Sequence, residues 1–88
     1  MNSQTSELTV DIIVRQVIEE VTGNLFKDIR FDSDVVDDLG ITKLELASII
    51  KSAENRLEIS LSGNAKREIL MAHTVGDMID IIEEEYEY

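Results

Sequence analysis

Apolar residues recur at spacings of three and four along most of this 88-residue chain, which contains no proline. That period belongs to helices laid against a core, so the pattern predicts an all-α protein. Over residues 9–22, Val10, Ile13, Val14, Val17, Ile18 and Val21 fall on one side of a helical wheel, with Asp11, Arg15, Glu19 and Glu20 mostly opposite. Thr9 suits the N-cap, Asp11 the positive end of the helix dipole, and Gly23 the left-handed stop. The β-branched residues of this stripe lower its intrinsic propensity, so packing has to hold the helix.

The period lapses over residues 24–41, which are dense in Asp. A connection of this length is unusual in a small domain unless it is functional or pinned, and Leu25, Phe26, Ile29, Phe31, Val35 and Leu39 supply apolar anchors across a core. Thr42, followed three residues later by Glu45, fits a capping box and opens a second helix. Leu46, Ile49, Ile50, Ala53 and Leu57 form its inner face, with Glu45, Ser48, Lys51, Ser52 and Arg56 largely outward, and its end is expected within residues 55–60. Leu57, Ile59 and Leu61 alternate with polar residues, but a strand there would have no partner, so none is predicted.

Ser62, Gly63 and Asn64 read as a turn before a short third helix over residues 65–71 that buries Ile69, Leu70 and Met71. Thr74 and Asp77 repeat the capping logic, and Val75, Met78, Ile79 and Ile82 give a fourth helix its buried stripe. Glu83, Glu84, Glu85 and Glu87 crowd the negative end of that helix, which predicts fraying. Four stripes with one long first connection predict a four-helix bundle closed by a long crossover. The whole chain reads as one domain, its ordered core running from about residue 9 to about residue 84 and followed by a frayed acidic tail.

Composition narrows the function classes. Nineteen Asp and Glu against eight Lys and Arg give a formal charge of −11, which repels nucleic-acid phosphates and anionic membrane surfaces and suits basic patches on other proteins. There is no Cys, which excludes disulfides, thiolate metal sites and thiol catalysis. Met1 is followed by polar residues rather than a basic start and an apolar run, and no apolar stretch reaches membrane-spanning length, so a cytoplasmic protein is expected.

Metal and catalytic patterns are incomplete. Asp32, Asp34, Asp37 and Asp38 lie close together, but a calcium loop of the EF-hand kind needs a ligand at Val36, a following Gly and a Glu at a different spacing. His73 is the only histidine and has no nucleophile motif beside it, so it is assigned a structural place flanking a helix. No catalytic or metal-ligating residue is assigned.

The order of helix, long acidic loop, Leu-Gly turn, charged helix, short helix and final helix resembles the acyl carrier protein family. Asp38-Leu39-Gly40-Ile41-Thr42-Lys43-Leu44 is similar to the family signature Asp-Leu-Gly-X-Asp-Ser-Leu. Residues 33–37 resemble the stretch leading into that signature, residues 57–61 the close of the second helix, and Thr74-Val75 the opening of the fourth. The resemblance implies an acyl-carrier-type four-helix bundle with a long loop between helices one and two. It further implies a noncatalytic monomer that tethers acyl intermediates through phosphopantetheine in fatty-acid or polyketide-type synthesis. Its partners would be a phosphopantetheinyl transferase and synthase or transferase enzymes with basic docking patches. The signature positions are Asp38, Leu39, Gly40, Thr42 and Leu44; those implied to meet partners are Asp37, Asp38, Glu45, Leu46, Ala47, Ile50 and Glu54. Leu46 and Ile50 fit a core equally well, and the acids fit a solvated face.

The departure is at the attachment position. Thr42 stands where the family has Asp, and Lys43 stands where it has the serine that accepts phosphopantetheine. An amine cannot form the family's phosphodiester, so the arm is not expected on Lys43, and the capping role of Thr42 makes its hydroxyl a poor substitute. As the first helical residue, a cation at 43 is disfavoured by the helix dipole by roughly 0.3–1 kcal/mol. Two origins fit: a carrier-like protein that lost carriage and kept partner binding, or a carrier altered there to block modification, the second favoured by the intact remainder of the signature. An acyl chain, if carried, would be sheltered among Val17, Ile49, Ile50, Ile69 and Ile79.

Overall fold

A computed structural model describes the backbone of residues 3–86 and the side chains of residues 9–86. It is an all-α bundle of four helices, α1 (Ser3–Thr22), α2 (Lys43–Leu57), α3 (Gly63–Leu70) and α4 (Val75–Tyr86), with a single 3-10 turn at Phe26–Asp28 in the long first connection. The expected long loop and short third helix are both present. Helix α1 packs on α2 and α4, and α3 lies against α4 and α2.

The stripe of α1 is buried as its period requires: Val10, Val14, Val17 and Ile18 are fully enclosed, with Ile13 and Val21 packed at the margin. The helix starts at Ser3, so Thr9 is an interior residue and not the N-cap expected of it. No Gly or Pro interrupts residues 3–8, and a polar run without an apolar stripe carries no period from which its helical state could be read. At the other end Gly23 adopts φ 83° and its amide donates to the Glu19 carbonyl at 2.9 Å, the predicted left-handed stop.

The long loop is held by specific bonds rather than by apolar residues alone. The Asn24 side-chain amide donates to the Leu39 carbonyl at 3.0 Å, joining the two ends of the loop. Arg15 of α1 donates to the Ile29 carbonyl, grips Asp11 through both carboxylate oxygens, and lies 5.7 Å from the centroid of the Phe26 ring. Ile29, Val35 and Leu39 enter the core as expected, and Ile41 joins them. Leu25 and Phe31 do not, being 53% and 51% exposed. Phe31 instead lays its ring over Gly76, where a side chain would collide with it.

Residues 31–35 run antiparallel to the approach to α4. The amides of Val75 and Gly76 donate to the carbonyls of Ser33 and Phe31, and the Val35 amide donates to His73. Two of the unpaired amides of the α4 N-terminus are therefore satisfied by the loop. Sequence periodicity cannot show this pairing, because it joins irregular backbone some forty residues apart.

The predicted capping box is complete: the Thr42 hydroxyl accepts from the Glu45 amide, and the Glu45 carboxylate accepts from the Thr42 amide. Helix α2 ends at Leu57 with Glu58 in the left-handed region at φ 56°, and its inner face is the predicted one. Helix α3 begins two residues earlier than expected, because Ser62 caps it by accepting from the Ala65 amide. It also stops sooner, so Met71 is its C-cap and is 74% exposed, contrary to the expected burial. Thr74 caps α4 through the Asp77 amide, while the Asp77 carboxylate accepts from the amides of His73 and Thr74. Helix α4 continues to Tyr86, where Glu85 accepts from the Ser62 amide and Tyr86 packs against the core. Glu87 lies outside the described residues.

Candidate functional site

The site is organised by the turn that delivers the chain into α2. The Asp34 carbonyl accepts from the amides of Asp38 and Leu39, and Gly40, at φ 63°, donates to Val36. The carboxylates of Asp34 and Asp38 are spent on the same turn: Asp34 accepts from the amides of Val36 and Asp37, and Asp38 accepts from the Asp34 amide at 2.7 Å. These acids are backbone caps. Leu39 and Ile41 point inward, so Thr42 and Lys43 emerge at the surface at the start of α2.

Lys43 is exposed and is the first residue of α2. Its ammonium leaves the positive end of that helix and donates to the Leu70 carbonyl at 3.0 Å, in the last turn of α3. The unfavourable dipole expected for a cation at this position is thus met by a favourable one from a second helix end. The Thr42 hydroxyl is engaged with Glu45 in the cap, and Ser48 lies exposed farther along α2.

The residues implied to meet partners separate by burial. Asp37, Asp38 and Ala47 are exposed, and Glu45 is half-buried in its cap. Leu46 and Ile50 are 3% and 6% exposed and pack in the core. The Glu54 carboxylate accepts from the Leu61 amide at 2.8 Å and lies 3.7 Å from Lys66, so it ties α2 to the start of α3. Three apolar side chains not foreseen as surface contacts are strongly exposed around Lys43: Val36 at 64%, Leu44 at 82% and Met71 at 74%. Leu44 was legible as the outward neighbour of an inward Leu46; Met71 was not, since its exposure depends on where α3 ends.

Two hollows flank this end of α2. One of about 360 Å³ lies between the loop and α2 start, with Val35, Ile41 and Leu46, and the segment Leu70, Met71, Ala72 and His73; Lys43 borders it. The other, about 400 Å³, lies between α2 and α3 and is lined by Ala47, Ile50, Lys51, Glu54, Lys66 and Leu70. Of the five residues expected to shelter an acyl chain, only Ile50 borders that groove. Val17, Ile49, Ile69 and Ile79 are enclosed in the close-packed interior. His73 flanks α4 as expected, its amide bonded to Asp77 and its carbonyl to Val35.

No helix among the described residues is long and apolar enough to cross a membrane. No protein-family model matches the chain. Among curated proteins, it is 30% identical over 69 residues to the acyl carrier protein of Tropheryma whipplei strain Twist, covering 78% of this chain and 80% of that protein. The same identity and coverage hold for the acyl carrier protein of strain TW08/27. The acyl carrier protein of Exiguobacterium sibiricum is 30% identical over 70 residues, covering 80% of this chain and 85% of that protein.

Proposed function

The chain belongs to the acyl carrier protein family, and we propose that it is a carrier-type docking domain of fatty-acid or polyketide-type synthesis that is not loaded with phosphopantetheine in its present form. The family is one of noncatalytic carriers, so the chain is not an enzyme. The observation that carries the proposal is Lys43: a solvent-facing first residue of α2 that offers an ammonium where the family offers a hydroxyl. Phosphopantetheine transfer needs an oxygen to attack the pyrophosphate of coenzyme A, and the neighbouring Thr42 hydroxyl is held in the helix cap.

Partner recognition survives the loss of that oxygen. Asp37 and Asp38 supply negative charge beside the exposed side chains of Val36, Leu44 and Ala47, a combination suited to a basic partner surface with an apolar centre. A phosphopantetheinyl transferase and acyl-chain synthase enzymes are the partners proposed, met by a monomer in the cytoplasm. Incubation with coenzyme A and a broad-specificity transferase, read by intact mass, tests the loading claim. The parent chain is expected to stay unmodified and Lys43→Ser to gain one phosphopantetheine; gain by the parent chain contradicts it.

A second reading is a partner-binding module that never carries a substrate. The bond from Lys43 to Leu70 favours it, because a lysine so accommodated is part of the packing between two helices. Failure of Lys43→Ser to gain the arm, in a chain that retains its helical fold, selects this reading.

A further inference from the structure

The hollow beside Lys43 has two walls, which the backbone joins at one end, where the Val35 amide donates to the His73 carbonyl at 2.8 Å. One comprises the loop end and the first turn of α2, with Val35, Ile41 and Leu46; the other is the segment from Leu70 to His73. Lys43 is rooted in the first wall, and its ammonium is bonded to the Leu70 carbonyl in the second. Its apolar stem therefore spans the mouth while its charged tip is anchored at the C-terminal end of α3. Two independent terms favour the anchor: the hydrogen bond from a charged donor, and the negative end of the α3 dipole.

We infer that Lys43 is a strap that holds the start of α2 against the end of α3 and narrows the mouth of the apolar hollow between them. With the strap in place the α2 side of the hollow is narrowed, and Leu44 and Met71, which follow the two ends of the strap in sequence, keep a fixed separation on the surface. Releasing the ammonium lets the Leu70–Met71 end of that segment move away from α2 while the Val35–His73 bond holds its other end, and the side chains of Ile41 and Leu46 become accessible. This inference does not depend on which partner the surface meets or on whether a serine at 43 can be loaded.

The test uses the full chain and a neutral dye, Nile red, which has no charge to be drawn to the lysine itself. Alanine at 43 removes the strap without creating an attachment oxygen, and Lys43→Arg keeps a cationic donor. Lys43→Ala is expected to bind the dye about fivefold more tightly than the parent, the scale of one partly exposed charge-assisted hydrogen bond, and Lys43→Arg to stay within about twofold of the parent. In the parent, nitrogen-detected spectra of the lysine side chains are expected to show the Lys43 ammonium exchanging with water more slowly than that of Lys51, and the Leu70 carbonyl resonance to shift in Lys43→Ala. Equal dye affinity in the parent and Lys43→Ala overturns the inference. So does a Lys43 ammonium that exchanges as fast as that of Lys51.

Discussion

Glu58 ends α2 with a non-glycine residue at φ 56° and ψ 45°, a conformation that costs a side-chain-bearing residue more than it costs glycine. Glu58→Gly is expected to raise stability by about 0.5 kcal/mol in urea unfolding, the relief of the left-handed strain outweighing the added entropy of the unfolded chain. Thr42 makes the opposite case at the start of the same helix. Its hydroxyl accepts from the Glu45 amide, and Thr42→Ala is expected to lower stability by about 1 kcal/mol with an unchanged denaturant slope. Both residues border the carrier signature or the helix it opens, so the two substitutions separate what the motif does for folding from what it does for recognition.

At the scale of elements, the long first connection is held by buried side chains and not by its most conspicuous aromatic. Ile29 is fully enclosed, and Ile29→Ala is expected to cost about 2–5 kcal/mol, whereas the half-exposed Phe31 should cost less than about 1 kcal/mol on truncation to Ala. Glu54 decides whether an acidic residue on α2 is a docking contact or a joint. Glu54→Ala leaves the Leu61 amide without its acceptor and is expected to cost about 1–3 kcal/mol, while Glu54→Gln keeps an oxygen there and should cost less than half as much. The helices and their inner faces were legible because each stripe repeats its period several times, as Val10, Val14, Val17 and Ile18 do. The capping boxes were legible because Thr42 and Glu45 carry a local chemistry that needs no tertiary partner. The start of α1 was not legible, since a polar run has no period, and neither was the exposure of Met71, since α3 runs from Gly63 under a Ser62 cap to Leu70 and leaves Met71 outside it. The pairing of the loop with the α4 N-terminus and the reach of Lys43 to Leu70 are contacts between distant segments, and nothing local in the chain encodes them.

At the scale of the molecule, a formal charge of −11 on 88 residues makes the folded state self-repelling, so stability is expected to rise between low and physiological ionic strength in thermal unfolding. The attraction proposed toward a basic partner is expected to weaken as salt increases. The α2 start gathers Asp37, Val36, Leu44 and Ala47 on the surface, while Lys43 withholds the attachment oxygen and Leu46 and Ile50 remain in the core. On the proposed function, recognition and loading are separated within one helix: the first would use surface that is present, the second an atom that is absent. Titration of the isotopically labelled parent chain with a phosphopantetheinyl transferase, followed by amide resonances at low and at high salt, tests that separation most directly. The account predicts shifts concentrated at Val36, Asp37, Leu44 and Ala47 that weaken as salt rises, with no covalent change in the chain; an absence of shifts at these residues, at a transferase concentration that binds a loadable carrier, would contradict it.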